Sequence, residues 1–92
     1  MPQIFKMGNY WIYFWANENK PTEPVHVHIS KGRPQENSTK VWIAENGKCL
    51  LCNNNSHIPP HTLRNIMRTI EARSDEIISK WEKYFGEPRF FC

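Results

Sequence analysis

The first half of the chain carries short apolar runs and apolar–polar alternation, which predict strands. Residues 10–15 form an unbroken β-favouring run, and residues 25–30 alternate strictly between apolar and polar side chains. Two further strands are predicted at residues 39–44 and 48–52, joined by a two-residue hairpin turn at Asn46 and Gly47. This strand-rich part covers roughly residues 4–52.

The second half has the spacing of an amphipathic helix. Pro59 and Pro60 suit a helix entrance, and Gly86 and Pro88 end the pattern. Between them, positions of one helix face recur at steps of three and four residues: Leu63, Ile66, Met67, Ile70, Ser74, Ile77, Ile78, Trp81 and Phe85. We predict one long C-terminal helix over about residues 60–85, packed on one face of an antiparallel sheet of three to four strands. The expected fold is α+β, in a single domain over residues 1–92.

Composition narrows the class of protein. The 92 residues include 12 Lys and Arg against 9 Asp and Glu, a formal net charge of +3, which excludes a histone-like polycation and an acidic tail. No apolar run approaches the ~20 residues that span a bilayer, and the opening residues lack the apolar stretch of a signal peptide. The odd number of cysteines, 3, argues against a disulfide framework. We expect a cytoplasmic protein with no membrane partner.

The alternating strand supplies the first candidate site. Its polar face carries His26 and His28, which lie about 6.5 Å apart along a strand. Two imidazoles so placed can act as acid and base on a phosphodiester or converge on a metal ion. Lys31 and Lys40 are candidates for a phosphate clamp. The alternative interpretation is an exposed strand face with no function of its own.

Two further pairs have the look of metal ligands, Cys49 with Cys52 and His57 with His61. A zinc knuckle places its two cysteines around a tight turn, whereas these flank two leucines in a predicted strand, which sends the sulfurs to opposite faces. We predict free cysteines, surface histidines, no metal site and no cofactor. Zinc binding is kept as the less favoured alternative.

The aromatic run and the helix supply the remaining candidates. Trp11, Tyr13 and Trp15 fall on one face of the run. If the other face meets the helix, these rings face solvent, a second copy of the chain or stacked bases. Arg64 and Arg68 lie one helical turn apart with no acid nearby, and they form either a small basic patch or a solvated helix face.

Spaced features over nearly the whole chain carry a family resemblance. The most diagnostic are Pro-Val-His-Val-His at residues 24–28 and Trp-Glu-Lys-Tyr-Phe at residues 81–85. The others are Met1-Pro2, Ile4, Gly8, the aromatic run from Tyr10, Lys40-Val41-Trp42, Leu63, Ile66 and Ile70. This pattern resembles the bacterial family of domain of unknown function 4160 (DUF4160).

The resemblance implies positions rather than a reaction, because the family has no established activity. It implies a short bacterial protein whose gene often lies beside another small family in a toxin–antitoxin-like arrangement. Carried to this chain, it points to His26 and His28 first, and then to Lys40 and Trp42. The chain departs from the family pattern at Val25, where a second proline is usual, and in its cysteine pair.

Two hypotheses from different classes follow, and whether the chain is an enzyme is left open between them. In the first, it is a toxin–antitoxin-type component that binds or cleaves RNA. The candidate catalytic residues are then His26, His28 and Lys40, and the candidate binding residues are Lys31, Trp42, Arg64 and Arg68. In the second, it is a non-enzymatic interaction module whose aromatic strand pairs or packs against a co-encoded small protein, or against a second copy in a homodimer.

Overall fold

An antiparallel sheet followed by two helices forms the described part of the chain, residues 3–16 and 23–91, in the computed structural model. The strands are β1 (Gln3–Met7), β2 (Tyr10–Tyr13), β3 (His26–Lys31), β4 (Thr39–Ile43) and β5 (Cys49–Asn53). The helices are α1 (Pro60–Ala72) and α2 (Ser74–Phe85). Each strand pairs with the next along the chain, so β1 and β5 are the two edges of the sheet. The predicted α+β class is confirmed.

Strand alternation gives the sheet one apolar face, and the helices cover it. Val27 lies opposite Val41, and Ile12 lies opposite Ile29, so branched side chains from the three central strands share that face. The helices contribute their predicted stripe to the same core, through buried Ile66, Ile70, Ile77 and Trp81. The opposite face carries the histidines of β3.

The first strand, β1, was not predicted, so the sheet has five strands rather than three or four. Within β1, the adjacent residues Ile4 and Phe5 are both buried, and the register with β2 shifts between Gln3 and Phe5. An irregular pairing of this kind hides the alternation on which strand prediction depends. Gly8 adopts φ +58°, as the first central residue of a two-residue hairpin loop requires.

The helical half is broken at Arg73, which corrects the prediction of one long helix. Arg73 has φ −110° and ψ 20°, outside the α-helical range, and α2 begins at the next residue. Its guanidinium lies 3.9 Å from the centroid of the Phe5 ring and binds Glu76 through two hydrogen bonds. Neither helix in the described ranges is long and apolar enough to cross a membrane.

The turn between β4 and β5 has three residues rather than the two predicted. Ala44 N–H donates to Lys48 O, and Gly47 N–H donates to Ala44 O, so residues 45–47 form the loop. Gly47 has φ +87°, the left-handed conformation that closes a three-residue hairpin. The loop also approaches the start of α2 at Ser74.

We expect Gly47→Ala to lower the free energy of unfolding by about 2 kcal/mol. A Cβ at this position would lie 2.8 Å from Ser74 Oγ, in addition to the strain of the positive φ. Gly32→Ala is the matched control, because Gly32 has φ +80° but nothing within 4 Å of an added Cβ, and it should cost about 1 kcal/mol. Urea unfolding measures both, and equal losses would show that the contact with Ser74 is unimportant.

Candidate functional site

The sheet face opposite the helices brings the predicted histidines together with Lys40 and Trp42. In the register of β2, β3 and β4, His28 lies between Tyr13 and Lys40, and His26 lies opposite Trp42. The predicted lysine clamp depended on β3 and β4 being adjacent. They are adjacent, and Lys40 lies beside His28. We call Tyr13, His26, His28 and Trp42 the aromatic–histidine layer.

The rings of this layer contact one another in a continuous chain. The His28 ring stacks on Tyr13 at 5.6 Å between centroids, and the two histidine rings lie 5.2 Å apart at an interplanar angle of 89°. His26 also meets Trp42 edge to face at 5.6 Å. Such edge-to-face contacts between rings stabilise a packed interior.

The layer is buried, so the interpretation of an exposed histidine face is wrong. His26 is 0% exposed and His28 is 7% exposed. The Tyr13 hydroxyl is tied to the segment that follows β3, since it lies 2.6 Å from Ser38 Oγ and donates to Gln35 O at 3.0 Å. Trp81 of α2 approaches the His26 ring to 5.1 Å. Segments distant in sequence thus close over the strand face.

Three contacts fix the polar groups within and beside this layer. Nδ1 of His26 lies 2.9 Å from Pro24 O, and because a carbonyl oxygen only accepts, this nitrogen carries the proton. Lys40 Nζ lies 3.3 Å from Glu23 Oε1 and 4.4 Å from the centroid of the Trp42 ring. The lysine charge is thereby neutralised and held against an aromatic face.

Chemically, the layer contains the parts of an acid–base site without an open path to it. Two imidazoles 5.2 Å apart and a neighbouring ammonium group are the components that phosphodiester cleavage without a metal requires. After α2, the Phe91 ring stacks on Trp42 at 5.0 Å between centroids. A phosphodiester reaches the buried imidazoles only if this chain end, or the segment holding Gln35 and Ser38, moves away. In the observed arrangement the layer acts as packed interior.

The other predicted binding residues lie elsewhere. Lys31 ends β3 and lines a cleft with His57 rather than joining the histidines. Arg64 and Arg68 are exposed on α1, which packs on the apolar face of the sheet, so the sheet separates them from the aromatic–histidine layer. Of the predicted lysine clamp, only Lys40 lies beside the histidines, and Arg64 and Arg68 form a separate pair on α1.

The cysteine pair does not form a ligand set. Cys49 Sγ lies 3.5 Å from Met67 O, whereas Cys52 is exposed and has no residue opposite it on β4 because of a bulge. Burial, with a smaller contribution from Glu71, raises the pKa of the Cys49 thiol to about 12, so the thiolate that zinc needs is disfavoured. No group of three or more histidine, cysteine or acidic side chains suited to a metal occurs among the described residues.

A second site, on the apolar side of the molecule, was missed by sequence reasoning. Edge strand β5 exposes Leu50 (39%) and Leu51 (46%), and α1 contacts this strand at Cys49, which binds Glu71 and lies beside Met67. A cleft of about 360 Å³ lies on the flank of α1. The cleft is lined by Pro60, Leu63, Arg64, Met67, Arg68 and Glu71. The signal in the sequence is the pair of leucines between the cysteines, in the segment predicted as the fourth strand.

Comparison with known proteins identifies the family. The family model for a domain of unknown function (DUF4160) matches residues 9–82 of the 92-residue chain, which includes the aromatic–histidine layer and most of both helices. The chain belongs to this family. No curated protein matches it, and no solved structure matches it.

Proposed function

We propose that the chain is a non-enzymatic interaction module that binds an extended acidic segment of a partner protein along β5. The observation that carries the proposal is an unpaired edge strand with two exposed leucines beside an apolar, basic groove. Long, apolar, unprotected edges are sites where another strand adds to a sheet. The groove supplies the side-chain contacts that make such an addition selective.

The backbone of β5 offers hydrogen-bonding groups on its outer side. Ala44 and Lys48 form a hydrogen-bonded pair, so strand alternation makes Trp42 and Leu50 the next such pair and turns the N–H and C=O of Cys49 and Leu51 outward. One outward donor is already used, because Cys49 N–H donates to Glu71 Oε2 at 2.9 Å. The groups of Leu51 face the side on which a partner strand would add.

The groove beside this edge is apolar at its base and positively charged above it. Leu63 and Met67 belong to the core or pack against it, whereas Arg64 and Arg68 are exposed. In the described part of the chain neither guanidinium forms an ion pair. Leu51 lies opposite Val41 and so shares the helix-covered face. Alternate side chains of an added strand would therefore point towards the two arginines.

The positive charge of Arg64 and Arg68 determines which kind of segment fits beside β5. An extended segment with carboxylates on the helix-facing positions would neutralise Arg64 and Arg68. A second copy of this chain fits less well, since symmetric antiparallel pairing of two β5 edges places both α1 helices on one face and brings the four arginines together. The predicted pairing of the aromatic strand with a partner strand is revised as well, because β1 and β3 occupy both edges of β2.

RNA cleavage by the aromatic–histidine layer is the second candidate function. What supports it is the register that puts Lys40 beside His28 in a family-matched segment. It also requires an opening step, since His26 is fully buried. The interaction module requires no rearrangement of the fold, and for that reason it is the function we favour.

The module is tested with two blocked peptides, one alternating valine with glutamate and the other valine with lysine. We expect amide shifts at Leu51 and Met67 in NMR titrations with the glutamate peptide, weakening with salt, and none with the lysine peptide. Arg64→Glu/Arg68→Glu should weaken glutamate-peptide binding by about thirtyfold, since it replaces two attractive contacts with two repulsive ones.

Lys83→Glu/Arg89→Glu, at two exposed positions in and after the last turn of α2, is the matched control, with the same change of net charge away from the groove, and it should bind almost as the unmodified chain does. Equal binding of both peptides, or shifts centred on β1, would overturn the proposal. If sedimentation shows a dimer that Leu51→Lys dissociates, the strand added to β5 is a second copy of this chain. That result would equally contradict the proposal.

A further inference from the structure

A second cleft, of about 250 Å³, lies where the end of β3 meets the two loops that flank β4 and β5. It is lined by Ser30, Lys31, Gln35, Asn37, Asn55, Ser56 and His57. No lining residue is apolar or acidic, and none is shared with the groove beside α1. A cleft made only of hydroxyls, amides, an imidazole and an ammonium group is suited to a polar, negatively charged ligand.

Hydrogen bonds hold the walls of this cleft in place. Ser56 Oγ donates to Ile29 O at 3.0 Å, and Ser30 Oγ donates to Gly32 O at 3.0 Å, so both hydroxyls anchor loops to β3. Across the top, Asn55 Nδ2 donates to Asn37 Oδ1 at 3.1 Å and joins the two loops directly. The cleft is preformed, which reduces the entropy lost when a ligand binds.

Lys31 and His57 supply further donors in the lining of the cleft. Lys31 is exposed and forms no ion pair within the described ranges, so its ammonium group is available. His57 has φ +53°, the one non-glycine residue with positive φ among those described, and its N–H donates to Asn54 O at 2.9 Å. Backbone strain of this kind is often retained where a side chain must be placed for function.

We propose that this cleft binds a phosphoryl group, with Lys31 and the His57 ring as its principal donors. The third donor is the Nδ2–H of the Asn55 side chain that does not bind Asn37. The proposal is independent of the partner segment on β5. Charge-assisted hydrogen bonds from lysine and histidine to phosphate oxygens supply the affinity, and the absence of a carboxylate from the lining excludes a competing cation. The phosphoryl group can belong to a small phosphate compound or to RNA, and the experiment separates these sources.

The test is an NMR titration of the full chain with inorganic phosphate, at an ionic strength held constant with potassium chloride. We expect saturable amide shifts at Lys31, Asn55, Ser56 and His57. Lys31→Gln should weaken phosphate binding by about tenfold, because it removes a charge-assisted contact. Lys48→Gln, which removes an exposed lysine outside the cleft, is the matched control and should leave binding unchanged.

Shifts that do not saturate, or that saturate with unchanged affinity in Lys31→Gln, would mean an adventitious ion only and would overturn the proposal. Titrations with uridine oligonucleotides that carry or lack a 5′-phosphate then identify the source of the phosphoryl group. Binding of the phosphorylated form alone assigns the cleft to an RNA terminus, and equal binding of both forms assigns it to backbone phosphates. If inorganic phosphate binds and neither oligonucleotide does, the cleft is assigned to a small phosphate compound.

Discussion

His26→Ala is expected to lower the free energy of unfolding by about 3 kcal/mol, and His26→Phe by only about 1 kcal/mol. His26 is fully buried and its ring contacts those of Trp42 and Trp81, so alanine leaves a cavity that phenylalanine fills. The remaining cost of phenylalanine is the lost hydrogen bond to Pro24 O. Urea unfolding measures both, with exposed His61→Ala as a control that should change stability by less than about 0.5 kcal/mol.

The stable His26→Phe variant also separates packing from catalysis. A ring without nitrogens keeps the shape of the aromatic–histidine layer but cannot transfer a proton. We expect induction of the unmodified chain and of this variant in a bacterium to leave total RNA equally intact. RNA loss with the unmodified chain alone would make His26 a catalytic residue and would favour the RNA-cleaving hypothesis over the interaction module.

The sequence predicts the central strands well because the alternation of apolar and polar side chains matches the two faces of the sheet. Val27 and Ile29 alternate with His26 and His28, and the fold puts these pairs on opposite faces, as the pattern requires. Prediction fails where tertiary contacts override local pattern. Arg73 interrupts the helices with no glycine or proline beside it, and its contact with the Phe5 ring joins segments that no local pattern connects.

The candidate sites also have parts that local pattern predicts and parts that tertiary contacts decide. The shared face of His28 and Lys40 follows from alternation and strand adjacency, which a sequence expresses. The burial of that face depends on Tyr13 binding Ser38, a contact between residues 25 positions apart that strand periodicity does not encode. Lys31 is predicted, with Lys40, to form a phosphate clamp for the histidines, but its place at the end of β3 puts it in a cleft with His57.

Leu51→Pro is expected to abolish binding of the glutamate peptide while costing only about 1 kcal/mol of stability. The N–H of Leu51 faces outward from β5, so proline removes a donor that a partner strand would use without breaking the pairing with β4. The side chain itself is 46% exposed, and its loss removes little core packing. The pyrrolidine ring also obstructs the edge to any added strand.

Leu50→Pro is the matched control, because Leu50 is similarly exposed but its N–H faces Trp42 on β4. This variant should lose about 3 kcal/mol, since it breaks a ladder hydrogen bond within the sheet. The two substitutions thus test opposite sides of one strand. Urea unfolding and the peptide titration are measured on both, and full peptide affinity in Leu51→Pro would show that no strand adds to β5, even if Arg64 and Arg68 still attract acidic chains.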